Sequence, residues 1–248
     1  FRKLAEEFGG PDEETRREEA QRKRFTCVDT KTALRKLASR LRKADAFAFD
    51  TEATGLDPLS DRLVGLSFST GEDEGEYVPV RAPEGERVVD LDVVREVLGP
   101  VLADHETLKI AHNAKFDLAL LASSGFPVEG PLFDTMVASY LLDSGSRQHG
   151  LDAAAKAELG YTPQPLTALI GERKRGVVQK RVDQVPLEQV TFYAAEDAEV
   201  AWRLYRAFEP RLQKEGLADL FHQVEMPLVR VLERMERHGV ALDLDVLS

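Results

Sequence analysis

The chain has 248 residues, 43% hydrophobic and 31% charged, enough apolar material for one main domain with additional pieces. A single cysteine, Cys27, excludes an internal disulfide or a multi-thiolate metal centre, no apolar run approaches the roughly 20 residues that span a bilayer, and the opening FRKLAEEFGG has no signal-peptide pattern, so a cytoplasmic, reducing setting is expected. A net charge of −11 excludes a broad basic face for duplex nucleic acid while leaving room for a small footprint.

Residues 9–24 (GGPDEETRREEAQRKR) are too charged to bury a core, so they read as a linker, with ordered structure expected from Phe25. Leu34, Leu37 and Leu41 fall at helical spacing within Thr32–Arg42 and predict an amphipathic helix. Ala46–Asp50, Leu63–Ser69 and Tyr77–Val80 are short apolar runs separated by turn residues, the pattern of an antiparallel meander. A helix over Leu91–Leu102, a strand over Leu108–Ala111 and a helix over Ala114–Ala122 follow, and this alternation implies parallel pairing. A further short strand is expected near Leu132 and Phe133, then helices over Thr135–Leu142, Leu151–Leu159 and from Leu187 to about Gln213. The predicted class is α/β, a mixed sheet flanked by helices. Gly216 interrupts the helical pattern, and Val224–His238 predicts one more amphipathic helix stopping at Gly239, with an apolar face that its own segment cannot bury.

Four carboxylates and a tyrosine then attract attention. Asp50 and Glu52 are two apart on a strand and share a face. Asp117 falls in the first turn of a helix, four residues after Asn113, and Tyr193 and Asp197 are one helical turn apart. Clustered carboxylates repel one another unless a hard divalent cation neutralises them. Taken singly, each has a plainer reading: an acid at a strand end is solvated or caps a helix, Asn113 caps the helix that follows it, and Tyr193 packs in the core. It is their combination that points to a metal site built from three distant segments. The segment GERKRGVVQKR sets Arg173, Lys174, Arg175, Lys180 and Arg181 against Glu172, and reads equally as a phosphate-contacting loop or a solvated charged surface.

FDTEATGLD, NAKFD and YAAEDA, in that order, resemble the three motifs of the 3′–5′ exonucleases with four acidic residues and a tyrosine, most closely the proofreading domains of bacterial family A DNA polymerases of the polymerase I type. The likeness covers about residues 25–215, and FDTMVASYLL fits it as well. EMPLVRVLERMERHGVALD is similar to the opening of a polymerase domain, and FRKLAEEF to the end of a 5′ nuclease domain. Three pieces are therefore expected: a linker at 1–24, an exonuclease domain at 25–215, and opening polymerase helices at 216–248.

The resemblance implies a ribonuclease H-like fold, two divalent ions (Mg²⁺ or Mn²⁺), and a frayed or single-stranded DNA 3′ end as substrate, in a monomeric polymerase chain. It assigns Asp50, Glu52 and Asp197 to one metal, and Asp50 with Asp117 to the second, partly through water. Tyr193 aims the attacking water with Glu52. Leu56 wedges beside the terminal base, with ordinary core packing an equal alternative, Asn113 hydrogen-bonds near the backbone, and Phe116 occupies the motif's aromatic position, where core packing is the favoured alternative. Ala53 departs from the Thr of many relatives at a substrate-contacting position. Two other readings stay open: a catalytically silent module of a polymerase, and a ribonuclease D-like exoribonuclease.

Overall fold

The computed structural model describes residues 24–172, 178–243 and 246. Most of the expected linker, and Arg173, Lys174 and Arg175 of the basic segment, lie outside the described residues.

The elements are β1 (Phe25–Cys27), α1 (Lys31–Leu41), β2 (Ala46–Ala53), β3 (Leu63–Ser69), β4 (Gly75–Pro79), α2 (Leu91–Leu102), β5 (Leu108–Ala111), α3 (Ala114–Ser123), β6 (Leu132–Asp134), α4 (Thr135–Leu142), α5 (Leu151–Leu159) and α6 (Leu166–Ile170). A 3₁₀ turn at Val182–Gln184 leads into α7 (Leu187–Lys214). The short α8 (Ala218–Leu220) and a π turn at Phe221–Glu225 precede α9 (Met226–His238).

Six strands form one sheet in the order β1-β4-β3-β2-β5-β6. β2, β3 and β4 make the antiparallel meander, while β5 and β6 run parallel to β2, and β1 runs parallel to β4. All seven residues of β3 are buried, as a central strand covered on both faces requires. The ends of several helices follow from local chemistry. Thr30 accepts a hydrogen bond from the Ala33 amide at 3.2 Å, starting α1, and Asp90 does the same for Asp92 and Val93 at the start of α2.

Two features of this frame bear on the acidic residues. β5 pairs with β2 only over Ala46–Ala48, so the Asp50–Ala53 end of β2 projects past it, beside the point where the chain leaves β5 for α3. Helix α7 packs against the sheet through Ala194, Ala195, Ala198 and Ala201, a strip of small side chains that allows close approach. Gly75 on β4 meets it there: a Cβ at that position would stand 2.7 Å from the Ala195 carbonyl oxygen.

The final helix α9 packs on α3 and buries Met226 and Val229, while Leu228, Val231, Leu232 and Met235 stay exposed. Arg230 fastens it by donating to the carbonyls of Val128 and Gly130 at 2.7 and 2.8 Å. Among the described residues, no helix is long and apolar enough to cross a membrane.

Candidate metal centre

Asp50 and Glu52 come from the projecting end of β2, and Asp197 from the middle of α7. Each offers a carboxylate oxygen to a group whose atoms all lie within 4.8 Å of one another. The β2–β3 ladder slips by one residue between Glu52 and Ala53, a bulge that ends regular pairing at the edge of the site. Glu52 and Asp197 are buried and Asp50 is partly exposed. Glu52 Oε1 is buried and has no hydrogen-bond partner among the described residues.

Such crowding is unfavourable for charge. Loss of water raises the Asp50 carboxyl to about 7. Burial first, then the charge of Asp50, holds Glu52 well above the carboxylate range. Asp197 is raised by burial and then by Asp50 and Glu52, with a hydrogen bond from Tyr193 pulling the other way. Removed from water and close together, these groups favour protons or a cation. Oxygen-only donors with one buried oxygen unpartnered fit a hard divalent cation such as Mg²⁺ or Mn²⁺.

Asp117 stands outside this tight triad. It is 2% exposed in the first turn of α3 and accepts a hydrogen bond from Thr51 Oγ1 at 2.5 Å, so it reaches the same strand end through the residue between Asp50 and Glu52. Burial raises its carboxyl, and Asp50 is its foremost charged neighbour. Tyr193 sits one turn before Asp197, and its phenol is raised far above the usual range by burial and the surrounding carboxylates, so it is a proton donor at any ordinary pH.

A groove of about 440 Å³ opens at the site, with Glu52, Tyr193, Leu56 and Phe116 in its lining. Leu56 is 87% exposed there, too accessible for core packing. Phe116 is partly buried and packs against the core, as the favoured alternative expects, and it is also among the residues that line the groove. Its lining also includes residues of α6 and Gln179 to Val182, with Lys180 and Arg181 of the basic segment among them.

The capping expectation for Asn113 needs correction. It occupies the N-cap position of α3 with φ 64 and ψ 47, and its side chain makes no capping bond. The cap comes from Asp134 instead, whose carboxylate accepts from the Asn113 and Ala114 amides at 3.1 and 2.8 Å. A left-handed N-cap residue is out of the extended conformation from which a side chain normally caps. The Asn113 side chain is thereby left exposed. Thr51 and Asp134 were not singled out from sequence. An Asp directly before the apolar run TMVASYLL is the one available signal for the latter, an N-cap pattern.

The 3′–5′ exonuclease family model matches residues 25–213. DNA polymerase I of Chloroflexus aurantiacus is 43% identical over 223 residues, 90% of this chain and 23% of that protein. DNA polymerase I of Pseudomonas aeruginosa is 38% identical over 217 residues, 84% of this chain and again 23% of the relative. The chain thus spans under a quarter of the length of these curated relatives. Among solved structures, Brucella melitensis NrnC bound to pGG aligns with a TM-score of 0.66 at 24% identity, covering 87% of this chain and 93% of that one. The POL domain of Pol1 from M. smegmatis, in complex with DNA primer-template and dNTP, aligns with a TM-score of 0.70 at 21% identity, covering 89% and 33%. These likenesses bear out the ribonuclease H-like mixed sheet.

Proposed function

The chain belongs to the 3′–5′ exonuclease family of DNA polymerase I, and from that premise we propose that it removes mononucleotides from single-stranded or frayed DNA 3′ ends, proofreading within a DNA polymerase I. The observation that carries this reading is the triad of Asp50, Glu52 and Asp197, whose carboxylate oxygens lie within 4.8 Å of one another. In this reading residues 25–215 are the exonuclease domain, residues 1–24 join it to a 5′ nuclease domain, and residues 216–248 open a polymerase domain.

Asp50, Glu52 and Asp197 would hold one divalent ion, and Asp50 with Asp117 a second, partly through water. Such ions supply, when bound, activation of water and neutralisation of charge on the reacting phosphate. The protein's own groups do the rest. Tyr193, a phenol that keeps its proton, orients the attacking water together with Glu52 and does not act as a base. Thr51 holds Asp117 in place by its hydrogen bond. Leu56 lies beside the terminal base, and the exposed Asn113 side chain and the groove face of Phe116 contact the strand. Binding of this kind needs stacking and a few phosphate contacts, not sequence readout, which suits a chain of net charge −11.

The chain and an Asp50→Ala variant, incubated with 5′-labelled single-stranded DNA and Mg²⁺ or Mn²⁺, test the proposal. Metal-dependent mononucleotide release by the wild type alone is expected. Equal activity in both sinks the assigned mechanism, and activity in neither favours a catalytically silent module. RNA run in parallel tests the ribonuclease D-like reading, which equal or faster RNA trimming would favour.

A further inference from the structure

We infer that Tyr77 is a positioning residue for the acidic site, holding the Glu52 side chain in its metal-binding orientation through its phenolic hydroxyl, with Gly65 as the gap that lets the phenol reach. The inference rests on the proposed role of Glu52 as a metal ligand.

The geometry comes from the three meander strands. Asp50 lies opposite Ser67, and Ser67 opposite Tyr77, while Glu52 lies opposite Gly65. Residues directly opposite one another share a face of the sheet, so Asp50, Glu52, Gly65, Ser67 and Tyr77 occupy one continuous patch. Within it the tyrosine leans diagonally across the strand between. A Cβ on Gly65 would stand 2.2 Å from Tyr77 Oη and 2.3 Å from Cζ, so the end of the phenol occupies the space above the residue paired with Glu52. Any side chain at position 65 would displace it.

Hydrogen bonding supplies the second observation. Tyr77 is 0% exposed and its hydroxyl has no partner among the described residues; the same is true of Ser67 Oγ and Glu52 Oε1 on the same patch. Burying a hydroxyl without a partner costs about 1–3 kcal/mol, so a phenylalanine at position 77 would fill the same volume more favourably. The ring is held in an apolar setting with Val64, Leu169, Val182 and Val190, which fixes its direction. Glu52 is the phenol's foremost charged neighbour. Once Glu52 turns one oxygen to a cation, its other oxygen accepts from Tyr77, directly or through one water. Ligating carboxylates are commonly oriented by hydrogen bonds of this kind.

The test is a Mn²⁺ titration of the whole chain, wild type and Tyr77→Phe, read both by thermal melting and by hydrolysis of 5′-labelled single-stranded DNA. Tyr77→Phe removes one oxygen and leaves the shape intact. The metal-free variant is expected to melt at or above the wild-type temperature, yet to need about 10–100-fold more Mn²⁺ for the same rise in melting temperature. Hydrolysis should recover at high Mn²⁺. Gly65→Ala, which displaces the phenol without removing it, should raise the Mn²⁺ requirement too. An unchanged requirement in either folded variant overturns the inference, whatever happens to the metal-free melting temperature. A wild type that melts identically with and without Mn²⁺ sinks the proposed metal site itself.

Discussion

Asp134 and Glu52 are both acids at strand ends, 2% and 7% exposed, yet their surroundings are opposite. Asp134 accepts from four backbone amides, those of Asn113, Ala114, Met136 and Val137, and so stitches the start of α3 to the start of α4. Glu52 has an oxygen with no hydrogen-bond partner among the described residues, and carboxylate oxygens of Asp50 and Asp197 within 4.8 Å. One carboxylate is satisfied by the fold; the other is left with a demand that the fold does not meet. The difference separates an acid that serves the fold from one that, crowded by two further carboxylates, suits the proposed metal site.

The contrast can be broken first at its charged end. Asp50→Asn should lower the rate of 3′-end hydrolysis by on the order of 10³-fold, the scale of removing a preorganised stabiliser of transition-state charge. The same change should raise the melting temperature of the metal-free chain, since it relieves repulsion. About 2–4 °C is expected for each ~1 kcal/mol relieved. A lower melting temperature would mean that Asp50 is a structural acid like Asp134.

Asp134→Ala attacks the satisfied end. It strands amides at two helix starts and should cost about 2–4 kcal/mol in urea unfolding. A loss under ~0.5 kcal/mol would remove the distinction between the two acids.

Acidity sharpens the comparison further. Asp50 is raised to about 7, and Glu52, Asp117 and Asp197 are raised as well, so the folded metal-free chain holds protons that the unfolded chain releases near 4. The contribution of Asp50 is therefore fully present below about pH 4 and is lost as pH rises through about 7, and the other three groups act in the same direction. Melting curves of the metal-free chain from pH 5 to 8 should show a decline that Asp50→Asn reduces. A flat profile would contradict the crowding. The smallest effect belongs to Leu56, exposed at 87%: Leu56→Ala should raise KM a few-fold and leave stability within about 0.5 kcal/mol.

Much of this was legible in the chain itself. The bounds of α2, β5, α4 and α5 coincide with the expected ones, because apolar periodicity and an acid or Gly at the helix edge mark them. The pairing of Asp50 with Glu52 on one strand face, and of Tyr193 with Asp197 on one helix turn, also stands. What escaped depends on contacts distant in sequence. β1 is three residues long and exists through parallel pairing with β4, about fifty positions away. The five-residue α6 is too short for a period to show. β2 runs on to Ala53, one residue past the expected Asp-x-Glu strand end, because β3 continues to pair with it across the bulge. The residue type of Asn113 favours capping, whereas its left-handed backbone and the acid at Asp134 decide the matter. The buried hydroxyl of Tyr77 carried no sequence signal, since a tyrosine in a strand is ordinary.

The central claim is that the carboxylates of β2 and α7 form a divalent-metal site, and counting bound Mn²⁺ by electron paramagnetic resonance at pH 8 tests it most directly. Two ions per wild-type chain are predicted, with both weakened in Asp50→Ala because in the proposed assignment that carboxylate would help to hold each of them. No saturable Mn²⁺ binding by the wild type, or undiminished binding by Asp50→Ala, would contradict it.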